Sequence, residues 1–575
     1  MSIRNSSTSS ASLQAVRKAL SVVLAQGYQV SPDALRLLQG LLEKRAAKAR
    51  SGGNRGPEPD IPVETILMLT VEDKVRASRY IATSDLKTIT GEDLNRAFPD
   101  LFIGITNNME RPTPQQPKVV QQQQQASATA TTDAKGPATP TQSPVANPTV
   151  EAFQEQEIEV IKDPSEKVRP TGTEGFAQLF KSRYEKLTKI FMERPEGRQI
   201  VKISKISEKS SGGREGGGGS SSQNFKIAGL VFQKRPTKNG IELTIDDDTG
   251  KASVLALSEE AKKSAAQLSL DQCVMLDVDT KGESGRLILR NVIQPDVPNR
   301  LSSTSKKTVY ALFLSDLHIG SNKFLEEAFD RFLLWLQGKW HYEDDEELLS
   351  RLKYVIIGGD VVDGVGIFPN QEYELTERNI YKQYEMVSVK LKQMPQHLQM
   401  LIIPGNHDSA RQALPQPMIP KKYAGSLYDF PNVTMLGDPC MIKLHGVSIL
   451  VYHGRSLDDV LATTPGLSYE RPTEAMKVLL RARHLAPMFG SRTPIAPEIE
   501  DHLVIDSVPD IFHAGHVHTL GAESYKSTLI INSGTWQAQT GYQANLGIMP
   551  RPGVVPIVNL ATLDVTFREF LTSTG

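Results

Sequence analysis

The sequence predicts an α/β domain, with sheets flanked by helices, in its C-terminal half, preceded by a β-barrel and a small helical unit. From Thr308 onward, short apolar runs alternate with amphipathic stretches of helical periodicity, which is typical of sheets covered by helices. Before them, about five runs of β type are separated by turn signals, as in a small barrel. All 11 histidines lie at or after His318, which indicates where metal chemistry would be found.

The chain has 575 residues and a formal net charge of −1. That length exceeds what one hydrophobic core can fill, and a neutral total neither indicates nor excludes a nucleic-acid partner. Its two cysteines, Cys273 and Cys440, have no neighbour at zinc-ligand spacing, so we expect two buried free thiols. The polar N-terminus lacks the apolar core of a signal peptide, and no stretch is apolar enough to span a bilayer. We therefore expect a soluble, cytoplasmic protein with no membrane partner.

Residues 1–105 are predicted to form a small helical domain. Residues 13–50 have helical periodicity, and residues 66–97 are interpreted as further short helices. A docking module without chemistry is the simplest interpretation of this domain. Residues 106–168 are predicted to be a disordered linker, because the stretch 112–148 is rich in Gln, Pro, Thr and Ala and cannot bury enough apolar surface to fold.

Residues 169–300 are predicted to form a helix followed by an OB-type barrel. The stretch 176–191 is amphipathic, and β-type runs follow at 200–206, 226–232, 241–246, 252–257, 273–278 and 287–293. Such barrels often bind single strands through aromatic side chains, but here the strands offer only Phe225 and Phe232, so a structural role is favoured. We expect the helix and barrel to pack against the domain that follows.

In the last unit, residues 301–575, each predicted strand ends in a short polar cluster. The clusters are Ser315-Asp316-Leu317-His318, Gly358-Gly359-Asp360-Val361-Val362-Asp363, Pro404-Gly405-Asn406-His407-Asp408, His453-Gly454 and Gly515-His516-Val517-His518. Strand ends aim side chains into one crevice, so we expect these groups to meet. Carboxylate, imidazole and amide ligands suit Mn²⁺, Fe²⁺ or Zn²⁺, and two such ions about 3.5–4 Å apart can clamp a phosphate.

In this order the clusters resemble the motif series of the calcineurin-like metallophosphoesterases: D-x-H, G-D-x-x-D, G-N-H-[DE], H and G-H-x-H. The resemblance implies a sandwich of helix-flanked sheets and two divalent ions, Mn²⁺ in the first place and Mg²⁺, Fe²⁺ or Zn²⁺ as alternatives. It implies that Asp316, His318 and His518 bind one ion, that Asn406, His453 and His516 bind the other, and that Asp360 bridges both. It also implies that His407 is the general acid or contacts the phosphate, and that Asp363 orients His407.

Other polar residues near these motifs are expected to be structural. Asp408 is interpreted as a turn residue, and His513 as a core histidine on a buried strand. His445, His484 and His502 lie outside the motifs and are interpreted as surface or core histidines.

The order of the units is similar to that of the small, exonuclease subunits of archaeal D-family DNA polymerases. Two stretches carry this resemblance, residues 363–385 (DGVGIFPNQEYELTERNIYKQYE) and 534–543 (GTWQAQTGYQ). It is close from about residue 170 to the C-terminus and thin before residue 110. It implies 3′→5′ proofreading of single-stranded or mismatched 3′ DNA ends, and a heterodimer with a large catalytic polymerase subunit. DNA and the sliding clamp are the further partners expected.

Two alternatives stay open. One is a stand-alone repair nuclease or small-molecule phosphoesterase of the same superfamily, which would need neither the barrel nor the helical unit. The other is a scaffold without activity, which the complete set of ligand residues disfavours.

Overall fold

The computed structural model describes residues 158–165, 172, 174–206, 223–281, 286–340, 342 and 345–571, together with two short strands nearer the N-terminus. The chain divides into two compact units, residues 1–147 and 148–575. In the first unit only β1 (Gln29–Val30) and β2 (Thr88–Ile89) are described, and they pair in parallel. β2 lies in a stretch predicted to form short helices. The rest of the helical domain predicted at 1–105 lies outside the described residues.

The predicted linker 106–168 contains a strand near its end, β3 (Ile158–Lys162). This strand pairs antiparallel with β13 (Cys440–Leu444) at the edge of a sheet. Just after it, Asp163 Oδ1 accepts a hydrogen bond from Gly437 N at 3.1 Å, and Ser165 Oγ accepts one from Met418 N at 2.9 Å. The linker prediction was therefore wrong for residues 158–165, and the remainder of the linker up to residue 157 lies outside the described residues.

The second unit contains a closed five-stranded barrel, and five of the six predicted β-type runs are its strands. The prediction was wrong for the run 200–206, which is helical at residues 203–206. Its strands are β4 (Asn224–Thr237), β5 (Gly240–Asp247), β6 (Gly250–Ala256), β7 (Cys273–Lys281) and β8 (Arg286–Ile293), in the order β4-β5-β6-β8-β7 around the barrel. Alternate residues of these strands, such as Ile227, Leu243 and Val254, fill the interior.

The helix α1 (Glu174–Met192) joins the barrel to the following domain, as predicted. Its apolar side packs against Cys273 and Met275 of the barrel and against Val504. On the same helix Arg183 is fully buried, and its Nε donates to Asp501 Oδ2 at 2.8 Å. Because a buried ion pair is stable only when both charged groups are well placed, this contact sets the position of α1 on the last domain.

The last domain is built on two six-stranded sheets packed face to face. The first has the order β12-β11-β10-β9-β18-β19, and the second the order β16-β17-β15-β14-β13-β3. The strands not yet located are β9 (Tyr310–Leu314), β10 (Leu352–Ile357), β11 (Gln399–Ile402), β12 (Val433–Met435), β14 (Val447–Val451), β15 (Ile511–Ala514), β16 (Leu520–Tyr525), β17 (Thr528–Ser533), β18 (Val554–Asn559) and β19 (Val565–Glu569). Side chains from both sheets, among them Phe313, Ile356 and Ile449, form the core between them.

Helices cover the outer faces of both sheets, which confirms the mixed α/β architecture. The helices after α1 are α2 (Glu259–Ala266) in the barrel, then α3 (Glu326–Leu336), α4 (Asp345–Arg351), α5 (Ile380–Leu391), α6 (Lys421–Ala424), α7 (Leu457–Thr463), α8 (Pro472–Ala482) and α9 (Gly541–Asn545). In α3, Phe329, Phe332 and Leu336 recur at helical spacing and are buried on the first sheet. α7 and α8 pack on the second sheet.

Cys273 and Cys440 are buried and free, as predicted. Within the part of the chain that is described, no helix has both the length and the hydropathy needed to cross a membrane.

Candidate metal centre

The nine residues predicted for the site lie at the ends of five strands and meet in one cleft. β9 leads to Asp316 and His318, β10 to Asp360 and Asp363, β11 to Asn406 and His407, β14 to His453, and β15 to His516 and His518. The first three strands belong to one sheet and the last two to the other. The site therefore lies where the carboxyl ends of both sheets open on the same side.

Five of these residues have a left-handed backbone: Asp316, His318, Asp360, His516 and His518 have φ angles of 53°, 52°, 51°, 71° and 60°. This conformation is unfavourable for a residue with a side chain, so the surrounding structure must hold it. Hydrogen bonds supply part of that support, since Asp316 N donates to Gly359 O at 2.9 Å and His318 N donates to Asp360 O at 3.0 Å.

Glycine is required where the backbone approaches the ligand side chains. A Cβ on Gly405 would lie 2.2 Å from Asp360 Oδ1, and a Cβ on Gly515 would lie 2.4 Å from Asp316 Oδ2. Both contacts are far shorter than atoms allow, so these glycines let the loops close around the carboxylates.

One group of candidate ligands is Asp316, His318 and His518, whose donor atoms lie within 4.8 Å of one another. His318 Nε2 and His518 Nε2 are 3.0 Å apart, and His518 Nε2 is 3.3 Å from Asp316 Oδ1. Asp316 Oδ1 is buried and has no hydrogen-bond partner among the described residues. This carboxylate oxygen and the two imidazole nitrogens could together bind a cation. The cation would be the partner that Asp316 Oδ1 lacks.

A second group is Asp360, His453 and His516, again with donor atoms within 4.8 Å. His453 Nε2 lies 3.3 Å from Asp360 Oδ2 and 3.1 Å from Asn406 Oδ1. Asp360 Oδ2 is also 3.9 Å from His318 Nε2 of the first group. Asp360 therefore lies between the two groups, the position predicted for a bridging carboxylate.

The carboxylates make the cleft strongly attractive to positive charge. Burial lowers the pKa of His318, but the neighbouring Asp316 and Asp363 outweigh it and raise that pKa to about 10. Burial also lowers the pKa of His453, and Asp360 raises it to about 10. In the metal-free protein these imidazoles hold protons at neutral pH, and a bound cation would replace them.

The contacts of His407 and Asp363 differ in part from the prediction. His407 Nδ1 donates to the backbone carbonyl of Asp363 at 2.7 Å, not to its carboxylate. The carboxylate of Asp363, however, accepts from His318 Nδ1 at 3.0 Å, and from Gln537 Nε2 at 3.0 Å. The Asp363 side chain therefore orients His318, as second-sphere carboxylates commonly do for metal-binding histidines.

Sequence reasoning missed two residues that contact candidate ligands. Asp458 Oδ2 on α7 lies 3.3 Å from His516 Nε2, and the Gln543 amide on α9 lies 2.7 Å from His518 Nδ1. Burial raises the pKa of Asp458, but His516 and the Tyr469 hydroxyl outweigh it and lower that pKa to about 2. Gln543 is the last residue of the stretch 534–543, and the family resemblance of that stretch was a sequence signal for it. Asp458 lies five residues after His453, and no sequence feature marked it.

Three of the residues predicted to be structural, Asp408, His513 and His484, lie buried among structural contacts. Asp408 Oδ2 accepts from Gly405 N at 2.9 Å and holds the turn that carries Asn406. His513 is buried with its Nε2 2.9 Å from Ser533 Oγ, and burial lowers its pKa to about 3. His484 is likewise a core residue.

Comparisons with known proteins identify the family. A family model for the B subunits of DNA polymerases alpha and epsilon matches residues 311–520. The DNA polymerase II small subunit of Methanothermobacter thermautotrophicus is 39% identical over 420 residues, which cover 72% of this chain and 84% of that protein. The chain belongs to the small-subunit family of archaeal DNA polymerase II. This confirms the family resemblance drawn from the sequence.

A second member of the small-subunit family, from Pyrococcus furiosus, is 41% identical over 394 residues, which cover 68% of this chain and 63% of that protein. The chain thus spans less than two thirds of the length of this relative. A solved structure titled as a novel archaeal phosphodiesterase has 12% identity and a TM-score of 0.23, covering 45% of this chain and 99% of that one. That score is too low to support a conclusion about fold or function.

Proposed function

We propose that this small subunit is a metal-dependent 3′→5′ DNA exonuclease that hydrolyses phosphodiester bonds at single-stranded or mismatched 3′ ends. The observation that carries the proposal is the position of Asp360, between two groups of buried carboxylate and imidazole donors. Two metal ions sharing one carboxylate are a common solution for phosphodiester hydrolysis. The helix-flanked pair of sheets and the order of the motifs also fit a calcineurin-like metallophosphoesterase, and the barrel fits the OB type.

The donor set fits two divalent ions. Asp316, His318 and His518 would hold one and Asn406, His453 and His516 the other, with Asp360 shared. The unsatisfied Asp316 Oδ1 supports the first of these sites. Mixed carboxylate, imidazole and amide donors favour Mn²⁺, with Mg²⁺, Fe²⁺ or Zn²⁺ as alternatives. When bound, such a pair of ions neutralises the phosphodiester and lowers the pKa of the attacking water.

His407 is the candidate for proton transfer. Its Nδ1–H is used by the Asp363 carbonyl, so Nε2 remains for the substrate. Burial lowers the pKa of His407, which keeps the ring neutral in the free protein. An anionic phosphodiester beside the ring would raise that pKa, and the protonated Nε2 would then donate to the phosphate or to the leaving oxygen.

The partners are proposed from the family. Its members are named as small subunits of a DNA polymerase, so we expect a large catalytic subunit to bind this chain and to deliver the 3′ end. DNA is the substrate, and the sliding clamp is a further expected partner. Family membership favours this assignment over a stand-alone phosphoesterase, and the assembled donor groups favour it over an inactive scaffold.

The test is an exonuclease assay on the full chain, alone and with its large subunit, using a primer-template with a mismatched, single-stranded 3′ end. With Mn²⁺ we expect mononucleotides to be released from the 3′ end of a 5′-labelled primer, and a chelator to stop the release. Asp360→Ala should abolish it, whereas Asp564→Ala, a change of an exposed carboxylate away from the cleft, should not. Equal release by wild type and Asp360→Ala, or none by wild type in either form, would refute the proposal.

A further inference from the structure

We propose that three exposed aromatic side chains on the two segments beside the candidate ligands, Phe368, Tyr373 and Tyr542, bind the unpaired bases of the substrate by stacking. We call these three residues the aromatic rim. Their side chains are 37%, 73% and 63% exposed, so their ring faces are accessible to a ligand. The inference rests on the proposed function, and it extends that function by stating how the site would select single strands.

One side of the rim is the loop that follows Asp363. In this loop the ring of Phe368 lies 6.5 Å from the ring of His407. The loop is fixed to the site, because Gln371 Nε2 donates to Asp363 O at 2.8 Å and to Asp363 Oδ2 at 3.1 Å. Tyr373 ends the same short 3₁₀ turn, Gln371–Tyr373. Both aromatic residues are thus held on a segment that contacts the candidate catalytic groups directly.

The loop also lies close against the backbone beside His407. A Cβ on Gly364 would be 2.4 Å from His407 O, so this contact requires glycine, and Gly364 has the positive φ of 75° that glycine tolerates. The start of the loop that carries Phe368 is therefore held against the backbone of His407.

The other side of the rim is α9. The adjacent residue Gln543 contacts His518 Nδ1 at 2.7 Å, and Thr540 begins the helix with a capping box that fixes Gln543 further. Tyr542 interacts electrostatically with Tyr469, whose pKa is raised by burial, by Asp458 and by Tyr542.

Tyr469 in turn donates to Asp458 Oδ1 at 2.8 Å, and Asp458 contacts His516. Tyr542 is thus linked through Tyr469 and Asp458 to His516 of the second group, while the ring of Phe368 lies beside that of His407.

Unpaired bases are the occupant that fits these positions. A phosphodiester held by the ligand groups carries its bases only a few ångströms away, and a base stacks on Phe or Tyr whatever its identity. In a duplex the faces of the bases are already stacked, so they are not available to the rim. A frayed 3′ end would gain this contact and a paired end would not.

The experiment measures base-dependent binding by fluorescence anisotropy. The full chain, with Mn²⁺, is titrated into a 5′-fluorescein-labelled single-stranded oligodeoxynucleotide whose phosphorothioate linkages slow hydrolysis. A matched strand lacks the bases of its last three nucleotides. The variants are Tyr373→Ala with Tyr542→Ala, Tyr542→Phe, and Phe567→Ala as a control, since Phe567 is an exposed aromatic on β19.

We expect the wild type to bind the strand with bases about tenfold or more tightly than the abasic strand, the range that stacking of one or two bases supplies. The double alanine variant should lose most of this ratio, while Tyr542→Phe and Phe567→Ala should keep it. The proposal is overturned if the double variant keeps the wild-type ratio. It is also overturned if the wild type binds both strands equally tightly. That result is expected if the aromatic rim contacts a protein and not DNA. Because binding is measured, the ratio decides the point even if the chain releases no nucleotides.

Discussion

Asp458 offers a test of the site that depends on a contact seen only in the structure. Its Oδ2 is 3.3 Å from His516 Nε2, so a hydrogen bond there leaves Nδ1 as the free nitrogen of His516, which forms a group with Asp360 and His453. If that group holds a metal ion, Asp458 sets which nitrogen of His516 binds it and strengthens that nitrogen as a donor. Asp458→Asn removes the charge while keeping the size of the side chain.

The expected magnitude follows from the pKa of Asp458. A fall from the ordinary 3.8 to about 2 favours the ionised carboxylate by roughly 2 kcal/mol. His516 is the largest of the stabilising neighbours, ahead of Tyr469 and Arg492, so we take on the order of 1 kcal/mol for the contact with His516. That value predicts roughly tenfold weaker binding of one ion, the lower end of what loss of such a partner usually costs.

Isothermal titration of the metal-free chain with Mn²⁺ measures the change. The site that contains His516 should weaken about tenfold in Asp458→Asn, and the site that contains His518 should change little. Asp564→Asn serves as the matched control on the surface. Two unchanged affinities would show that Asp458 does not act through His516, and an equal loss at both sites would show a general disturbance of the cleft.

Four further outcomes are expected. Elemental analysis of Asp360→Ala should find neither metal ion, while the circular dichroism spectrum stays that of the wild type. Near-normal metal content would contradict the bridging position of Asp360. His407→Ala should retain both ions while hydrolysis slows by about 10²–10⁴-fold, so loss of the ions would make His407 a ligand. Burial lowers the pKa of His484 to about 4, whereas the unfolded chain takes up this proton near pH 6.5. Stability should therefore fall by up to about 3 kcal/mol as pH drops from about 6.5 to 4. In His484→Gln the melting temperature should fall less between about pH 6.5 and 4 than it does in the wild type. An identical pH profile would show that protonation of His484 does not cause the fall. A chain starting at residue 150 should melt like the full second unit, and one starting at residue 170 should melt lower because it lacks β3; equal melting temperatures would show that β3 adds nothing.

The sequence predicted the site better than its surroundings, and the reason is physical. Each candidate ligand follows a short apolar run, and that local pattern is enough to place it at the end of a strand. Asp458 contacts His516, 58 residues further along the chain, so no local pattern marks it. Gln543 contacts His518, and only its place in the stretch 534–543 pointed to it.

The error at β3 has a different cause. Composition assigned residues 106–168 to one linker, although the run Ile158–Lys162 pairs with β13. Five residues are too few to change the composition of a long segment, and pairing depends on a partner about 280 residues away. The order of the strands around the barrel likewise depends on contacts between strands, and the turn residues in the sequence do not specify those contacts.

The left-handed backbone at Asp316, His318, Asp360, His516 and His518 has a consequence for how this chain tolerates change. Each such residue costs roughly 1 kcal/mol or more relative to a relaxed backbone, and glycine would remove most of that cost. Replacement by glycine at these positions thus relaxes the backbone while it erases the donors. The chain thus holds side-chain donors at five positions where glycine would give a more relaxed backbone.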